Sequence, residues 1–126
     1  MRELTSHKVN GLNEVLRIEV LDEPGQGNAC HLYGITSDEP RLSAMPPAVM
    51  CSIRFQNGPI QEAGVNGISQ EALLAIVEDR LIGFQTGEYA CRENAIALTK
   101  VQEAMQWLLK RTRDRMARGV EGTNQK

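Results

Sequence analysis

The chain has no apolar run long enough to cross a bilayer and no hydrophobic segment of the secretory-leader kind. That excludes a helical membrane span and favours a cytoplasmic protein. Cysteines are few: Cys30, Cys51 and Cys91 cannot all pair, and none stands in a CxxC spacing. A disulfide scaffold and a zinc ribbon are thereby excluded, and a reduced compartment fits best. Histidine is limited to His7 and His31, and nothing has the spacing of a zinc site. His31 sits in a predicted strand beside Cys30, where a structural role is the simpler reading. There is no GxxxxGK[ST] phosphate loop and no GxSxG elbow. Glu78 and Asp79 are neighbours on a predicted helix, so their carboxylates point apart and do not form a general acid/base pair. The expectation is a binding protein without catalytic residues, metal or cofactor.

Charge is present but unevenly placed. Lys110 to Arg118 holds five basic residues against Asp114, a local excess of four in a chain whose net charge is −2. The remainder is therefore acidic and would repel a long polyanion. A generic nucleic-acid binder carries a wide basic surface. Positive charge confined to two helical turns suits a small anionic ligand better.

At 126 residues the chain fits one domain, 1–126. Its parts are a β-rich stretch over 1–66, a helical hairpin over 67–119 and a polar tail over 120–126. Residues 1–9 have little pattern. The run EVLRIEVLD is β-rich, with partial alternation at Val15, Leu16, Ile18, Val20 and Leu21. DEPGQGN then reads as a turn, and 29–36 as the returning strand. Residues 37–47 contain Pro40, Pro46 and Pro47 and read as loop. The segment 48–55 alternates Val49, Cys51, Ile53 and Phe55 against Met50, Ser52 and Arg54, a third strand with one face buried. Asn57-Gly58 is a tight turn. Residues 59–63 form a short fourth strand in this reading.

Ser69 is placed as an N-cap for a helix over 70–82 that buries Leu73, Leu74, Ile76, Val77 and Leu81. Gly83 is placed to end it in the left-handed conformation. A short connection over 84–87 leads to a long helix beginning near Glu88 and stopped by Gly119. Strands first and helices second give an α+β fold: an N-terminal antiparallel sheet followed by an antiparallel two-helix hairpin with a long C-terminal helix.

Ala97, Val101, Ala104, Met105 and Leu108 recur at helical spacing. Continued in steps of three and four, that stripe runs into Arg111, Arg115 and Arg118; run backwards, it meets Asn94. Arginines in register with a packing stripe read as a cationic pocket at a helix contact. They also complement the negative end of the helix dipole, and the sequence leaves both readings open. Phe84 lies in the predicted interhelical connection, where a ring can staple the hairpin or stack on a base. Asn94 offers a carboxamide that must find partners, in the protein or on a ligand. Tyr89 and Trp107 are most simply packing or subunit-contact residues. A guanidinium donates two parallel hydrogen bonds to a phosphate and keeps its charge. Ring, carboxamide and guanidinium together describe a site for a purine nucleotide. Asn94 and Arg111 are about 25 Å apart on one straight helix at about 1.5 Å per residue. If both serve one small ligand, two subunits with antiparallel helices must supply them, which predicts a homodimer.

The segments FQNGPIQEAGVNG, LLAIVEDRLIGFQTGEYACRENAIALTKVQEAM and WLLKRTRDRMARGVEGT cover Phe55 to Thr123. They resemble the phage anti-Thoeris sponge proteins of the first-described type. These share a helical-hairpin domain with the phage sponges that act against cyclic-oligonucleotide (CBASS) defence. The resemblance implies a non-catalytic protein, in the cytoplasm of an infected bacterial host. It would bind and hold cyclic ADP-ribose isomers made by TIR-domain immune enzymes. It also implies homodimers that assemble further, up to hexamers; some relatives bind cyclic di- or trinucleotides at separate sites, and Arg54 is the candidate for such a site here. Phe84 and Asn94 match the aromatic and the asparagine at the adenine end. Arg111 and Arg115 match the basic positions near the phosphates, and Arg118 is a looser match. Tyr89 stands where the family pattern has phenylalanine.

Two other functions fit the residues alone: a nucleic-acid-binding phage module that uses the arginine-rich helix end, and a nucleotide hydrolase. Salt dependence separates the first from a sponge, because many phosphate contacts on a polymer give a steep slope. Recovery of intact ligand separates the second.

Overall fold

The computed structural model describes residues 1–126. Its element order is β1 (Arg2–Leu4), α1 (Gly11–Val15), β2 (Leu16–Val20), β3 (Leu32–Ser37), β4 (Ala48–Arg54), α2 (Ile60–Ala63), α3 (Gln70–Gln85) and α4 (Arg92–Ala117). The fold is α+β, as the order of sequence patterns predicts. The chain divides into a sheet unit, residues 1–58 with 65–68, and a hairpin unit, residues 59–64 with 69–126.

The sheet unit is a four-stranded antiparallel meander in the order β1-β2-β3-β4. Arg2 opposes Val20 and Leu4 opposes Ile18, so the patternless first residues supply the fourth strand. The predicted strand over 59–63 is instead the single turn α2. Pro59 sits at its N-cap, and the Ala63 and Gly64 amides donate to Pro59 and Ile60 carbonyls. Such bonds back along the chain leave no free strand edge.

Val20 and Ser37 are fully buried and Cys30 is buried, its Sγ within 3.8 Å of the Arg2 guanidinium. Tyr33 and Phe55 meet edge to face with ring centroids 5.7 Å apart. The alternation over 48–55 buries less than its pattern predicts. β4 is an edge strand, and its pairing with β3 shifts register between Ile35 and Thr36, which leaves Met50 without an opposite residue. Val49 is accordingly 78% exposed.

In the hairpin unit, Ser69 caps α3 as expected: its Oγ accepts the Ala72 amide at 3.1 Å. The helix does not end at Gly83. It continues through Phe84 to Gln85, and the stop is made by Thr86, whose hydroxyl and amide both donate to the Gly83 carbonyl. Gly83 therefore stays helical, and Phe84 is a helix residue rather than a loop residue. The connection runs over 86–91. α4 begins at Arg92, later than the expected start near Glu88, because Cys91 is its N-cap and its Sγ accepts the Asn94 amide at 3.4 Å. Tyr89 consequently precedes the helix and is exposed.

Along α4 the shielded face carries Asn94, Leu98, Val101, Met105, Leu108, Thr112 and Arg115. Ala97 and Ala104 lie outside it. On α3, Leu73, Leu74 and Leu81 are half-buried, but Ile76 is 66% and Val77 44% exposed, against the expectation that both are covered. Leu73 and Leu74, near the start of α3, share a shallow apolar groove with Ala104, Trp107 and Leu108 of α4. That pairing of an early α3 segment with a late α4 segment is the antiparallel hairpin arrangement.

Candidate functional site

Phe84 ends α3 and Asn94 begins α4, so the hairpin turn brings ring and carboxamide to one end of the unit. Phe84 is half-buried, and the Arg80 guanidinium lies 5.0 Å from its ring centroid. This cation–π contact follows from the i,i+4 spacing on a helix. The spacing of Arg80 and Phe84 is legible in the sequence, and the contact is not. Asn94 is half-buried on the inner face, with its backbone amide held by Cys91.

The other end of α4 holds the cations. Arg111 and Arg118 are exposed and line a groove of about 480 Å³ with Trp107, Lys110, Asp114, Arg115 and Lys126. Trp107, Arg111 and Arg118 recur at four and seven residues, so they share one helix face. Lys110 is tied to Asp114 at 2.6 Å on the surface. Five cations against one carboxylate make the groove strongly attractive to anions.

Arg115 is placed differently from its neighbours. It is buried, and its guanidinium is occupied by the chain itself. Nε donates to Glu121 Oε2 at 3.2 Å, one terminal nitrogen donates to the Val120 and Thr123 carbonyls at 2.9 and 3.1 Å, and the other donates to the Gln125 carbonyl. The segment 120–125 is thus folded back rather than trailing. Gln61 of α2 donates from its amide to Gly122 and from its side chain to Glu121, and Asn124 donates to Glu62. Gly119 and Gly122 make the reversal at φ of 73° and 80°.

The structure therefore gathers the five sequence-derived residues into two clusters on one hairpin. Phe84 and Asn94 stand at the turn; Arg111, Arg115 and Arg118 stand some seventeen residues or more along α4, about 25 Å away at 1.5 Å per residue. Of the other groove residues, the sequence reads Trp107 as a packing or subunit contact and Lys110 as part of the basic run, and it gives Lys126 no role. The signal for Trp107 was its spacing of four from Arg111; Lys126 carried none, because only the folded tail places it there.

The sheet unit has its own small polar cleft, lined by Asp22, His31, Leu32, Arg54, Phe55, Asn57 and Asn66. Asp22 accepts the His31 and Leu32 backbone amides, and these bonds, the one from His31 first, hold its carboxyl below the usual carboxylate range. Asn66 ties the two turns together by accepting the Asn57 amide and donating to the Asn57 carbonyl, each at 2.8 Å. Arg54 is exposed at the rim. No group of three or more His, Cys, Asp or Glu side chains is placed to hold a metal ion.

An α+β chain whose helical unit is a two-helix hairpin with a cationic far end defines the class. Residues 48–113 match the family described as Acb2/Tad1, hairpin domain, and the chain belongs to that family. It is also 52% identical over 77 residues to "Thoeris anti-defense 1" of Bacillus phage SBSphiJ7, a match that covers 61% of this chain and 54% of the relative. The chain thus spans about half the length of the curated relative it matches. The resemblance to the anti-Thoeris family is borne out, with the hairpin-domain match lying over 48–113. No helix is long and apolar enough to cross a membrane.

Proposed function

We propose that the protein is a phage or prophage anti-defence protein acting in the cytoplasm of the infected host. It binds cyclic ADP-ribose-type signals made by TIR-domain immune enzymes and holds them without cleaving them. The observation that carries this reading is the split of binding groups on the family's hairpin. A ring and a carboxamide suited to a purine lie at the turn, and a cationic groove suited to phosphates lies at the far end of α4. One small ligand cannot bridge about 25 Å on one straight helix. In a homodimer with antiparallel α4 helices, Phe84 and Asn94 of one protomer face the groove of the other, where Arg111 and Arg118 are open and Arg115 lies buried behind them. The exposed Ile76 and Val77 and the apolar groove at Leu73, Ala104 and Trp107 offer surface for such an interface. Further assembly to hexamers is part of the same proposal.

Binding alone needs no activated nucleophile. A ring gives stacking worth about 1–3 kcal/mol per base, and guanidinium groups give charge-assisted hydrogen bonds to phosphate. The cleft beside Arg54 is proposed as the separate site for cyclic di- or trinucleotides: it sits in the sheet unit and combines a cation with Asn57 and Asn66 as hydrogen-bonding groups. Titration of the protein with a panel of cyclic ADP-ribose isomers and cyclic oligonucleotides tests the proposal. Saturable binding of one isomer supports it, and binding of none refutes it.

A further inference from the structure

Arg115 stands among the groove cations, yet its side chain is 9% exposed and its nitrogens contact four groups of the segment 120–125. Those contacts span both edges of the guanidinium, so little of its donor capacity remains for a phosphate. The same contacts do something else. They reverse the chain after Gly119, lay Gly122 on Ile60 and Gln61, and bring Lys126 into the groove beside Arg111 and Arg118. A β-carbon on Gly122 would meet Ile60 Cγ1 at 2.9 Å and Gln61 Cγ at 3.2 Å, and φ there is 80°. The tail therefore has one seat, floored by α2 and roofed by Arg115.

We propose that Arg115 is a positioning residue: it builds the phosphate-binding groove by clamping residues 120–125, and the anion is bound by Arg111, Arg118 and Lys126. The inference rests on the reading of this groove as the phosphate end of the ligand site. A lysine cannot replace the arginine in this role. Its single ammonium is a compact point charge and cannot bridge a carboxylate and three carbonyls set around a planar fork. Charge at position 115 and order in the tail are therefore separable by mutation.

The test uses inorganic pyrophosphate as probe, followed by calorimetry and by the emission of Trp107, the single tryptophan of the chain, which lines the groove. Arg115→Lys, Arg115→Gln, Gly122→Ala and a chain ending at Gly119 are each expected to lose affinity by about tenfold, the worth of one contact to a charged group. In the shortened chain, Arg115→Gln is expected to cost nothing further, because its only task has gone. Hydrogen exchange at the 120–125 amides is expected to rise in all three point variants. Several outcomes overturn the proposal: full affinity in Arg115→Lys, unchanged affinity in Gly122→Ala, an additional loss from Arg115→Gln in the shortened chain, or no pyrophosphate binding by the parent protein. Should the Arg115 variants fail to fold, Gly122→Ala and the shortened chain decide alone. Pyrophosphate binding with this mutational pattern, but no affinity for any cyclic ADP-ribose isomer, keeps the inference and removes the proposed ligand.

Discussion

Arg80 lays its guanidinium 5.0 Å from the centre of the Phe84 ring, one helical turn further on. The contact steadies the ring at the end of α3, where it is only half-buried. A ring held this way loses little freedom when a base stacks on it, which is the use proposed for it. Phe84→Ala should therefore weaken binding of a cyclic ADP-ribose isomer by about 1–3 kcal/mol and leave the melting temperature nearly unchanged. Calorimetry beside a thermal melt checks both. A sharp fall in melting temperature with affinity intact would make Phe84 a hairpin staple.

Arg111 is exposed in the groove, so its removal leaves no buried partner unsatisfied. Arg111→Ala should cost at least about 1.5–3 kcal/mol of ligand affinity, the worth of a hydrogen bond to a charged group. The salt dependence of ligand binding should become shallower in the variant. Equal affinity for parent and variant across a salt series would remove Arg111 from the site.

A site shared across antiparallel helices has a specific consequence for mixtures. Phe84→Ala and Arg111→Ala homodimers each lack one half of every site. A mixed dimer carries one site with both halves broken and one with both halves intact. Mixing the two variants in equal amounts, with unfolding and refolding to exchange chains at random, should therefore restore about a quarter of the parent's binding stoichiometry, one intact site in each mixed dimer. Light scattering should show dimers or larger assemblies at micromolar concentration. A monomer, or mixtures that stay inactive, would place all contacts within one chain.

Asp22 gives a pH dependence in the sheet unit. Its carboxylate accepts the His31 and Leu32 amides, which lowers its pKa from the ordinary 3.8. A depressed folded-state pKa means that the stabilisation is fully present above the unfolded value and is lost as pH falls through the lower folded value. Acid unfolding of the parent below pH 3.8 should therefore be steeper than that of Asp22→Asn. Urea melts at several acidic pH values measure this, and identical pH profiles would mean that Asp22 contributes no such linkage.

Much of the fold was legible because periodicity and capping speak for themselves. Strands and helices fall in the expected order, and Ser69 caps α3 where its position suggests. Gly83 misled because glycine is tolerated inside a helix, and the stronger stop lay three residues later at Thr86. Residues 2–4 pair only through a partner fourteen or more positions away, which no local pattern reveals. Helical spacing alone puts Arg111, Arg115 and Arg118 on one stripe of α4. The fold separates them, because the carbonyls that bury Arg115 come from the tail, and a tail that reads as polar gives no sign of where it docks. Arg111 and Arg118 remain exposed in the groove, which the tail joins only through Lys126.

Retention of an intact signal is open to one direct measurement. Excess protein is incubated with a cyclic ADP-ribose isomer that calorimetry shows to bind, freed of unbound ligand, then heat-denatured, and the supernatant is chromatographed. The account predicts one intact cyclic molecule released per occupied site, again able to activate its effector. Linear or cleaved product in more than stoichiometric amounts would contradict it and make the protein an enzyme.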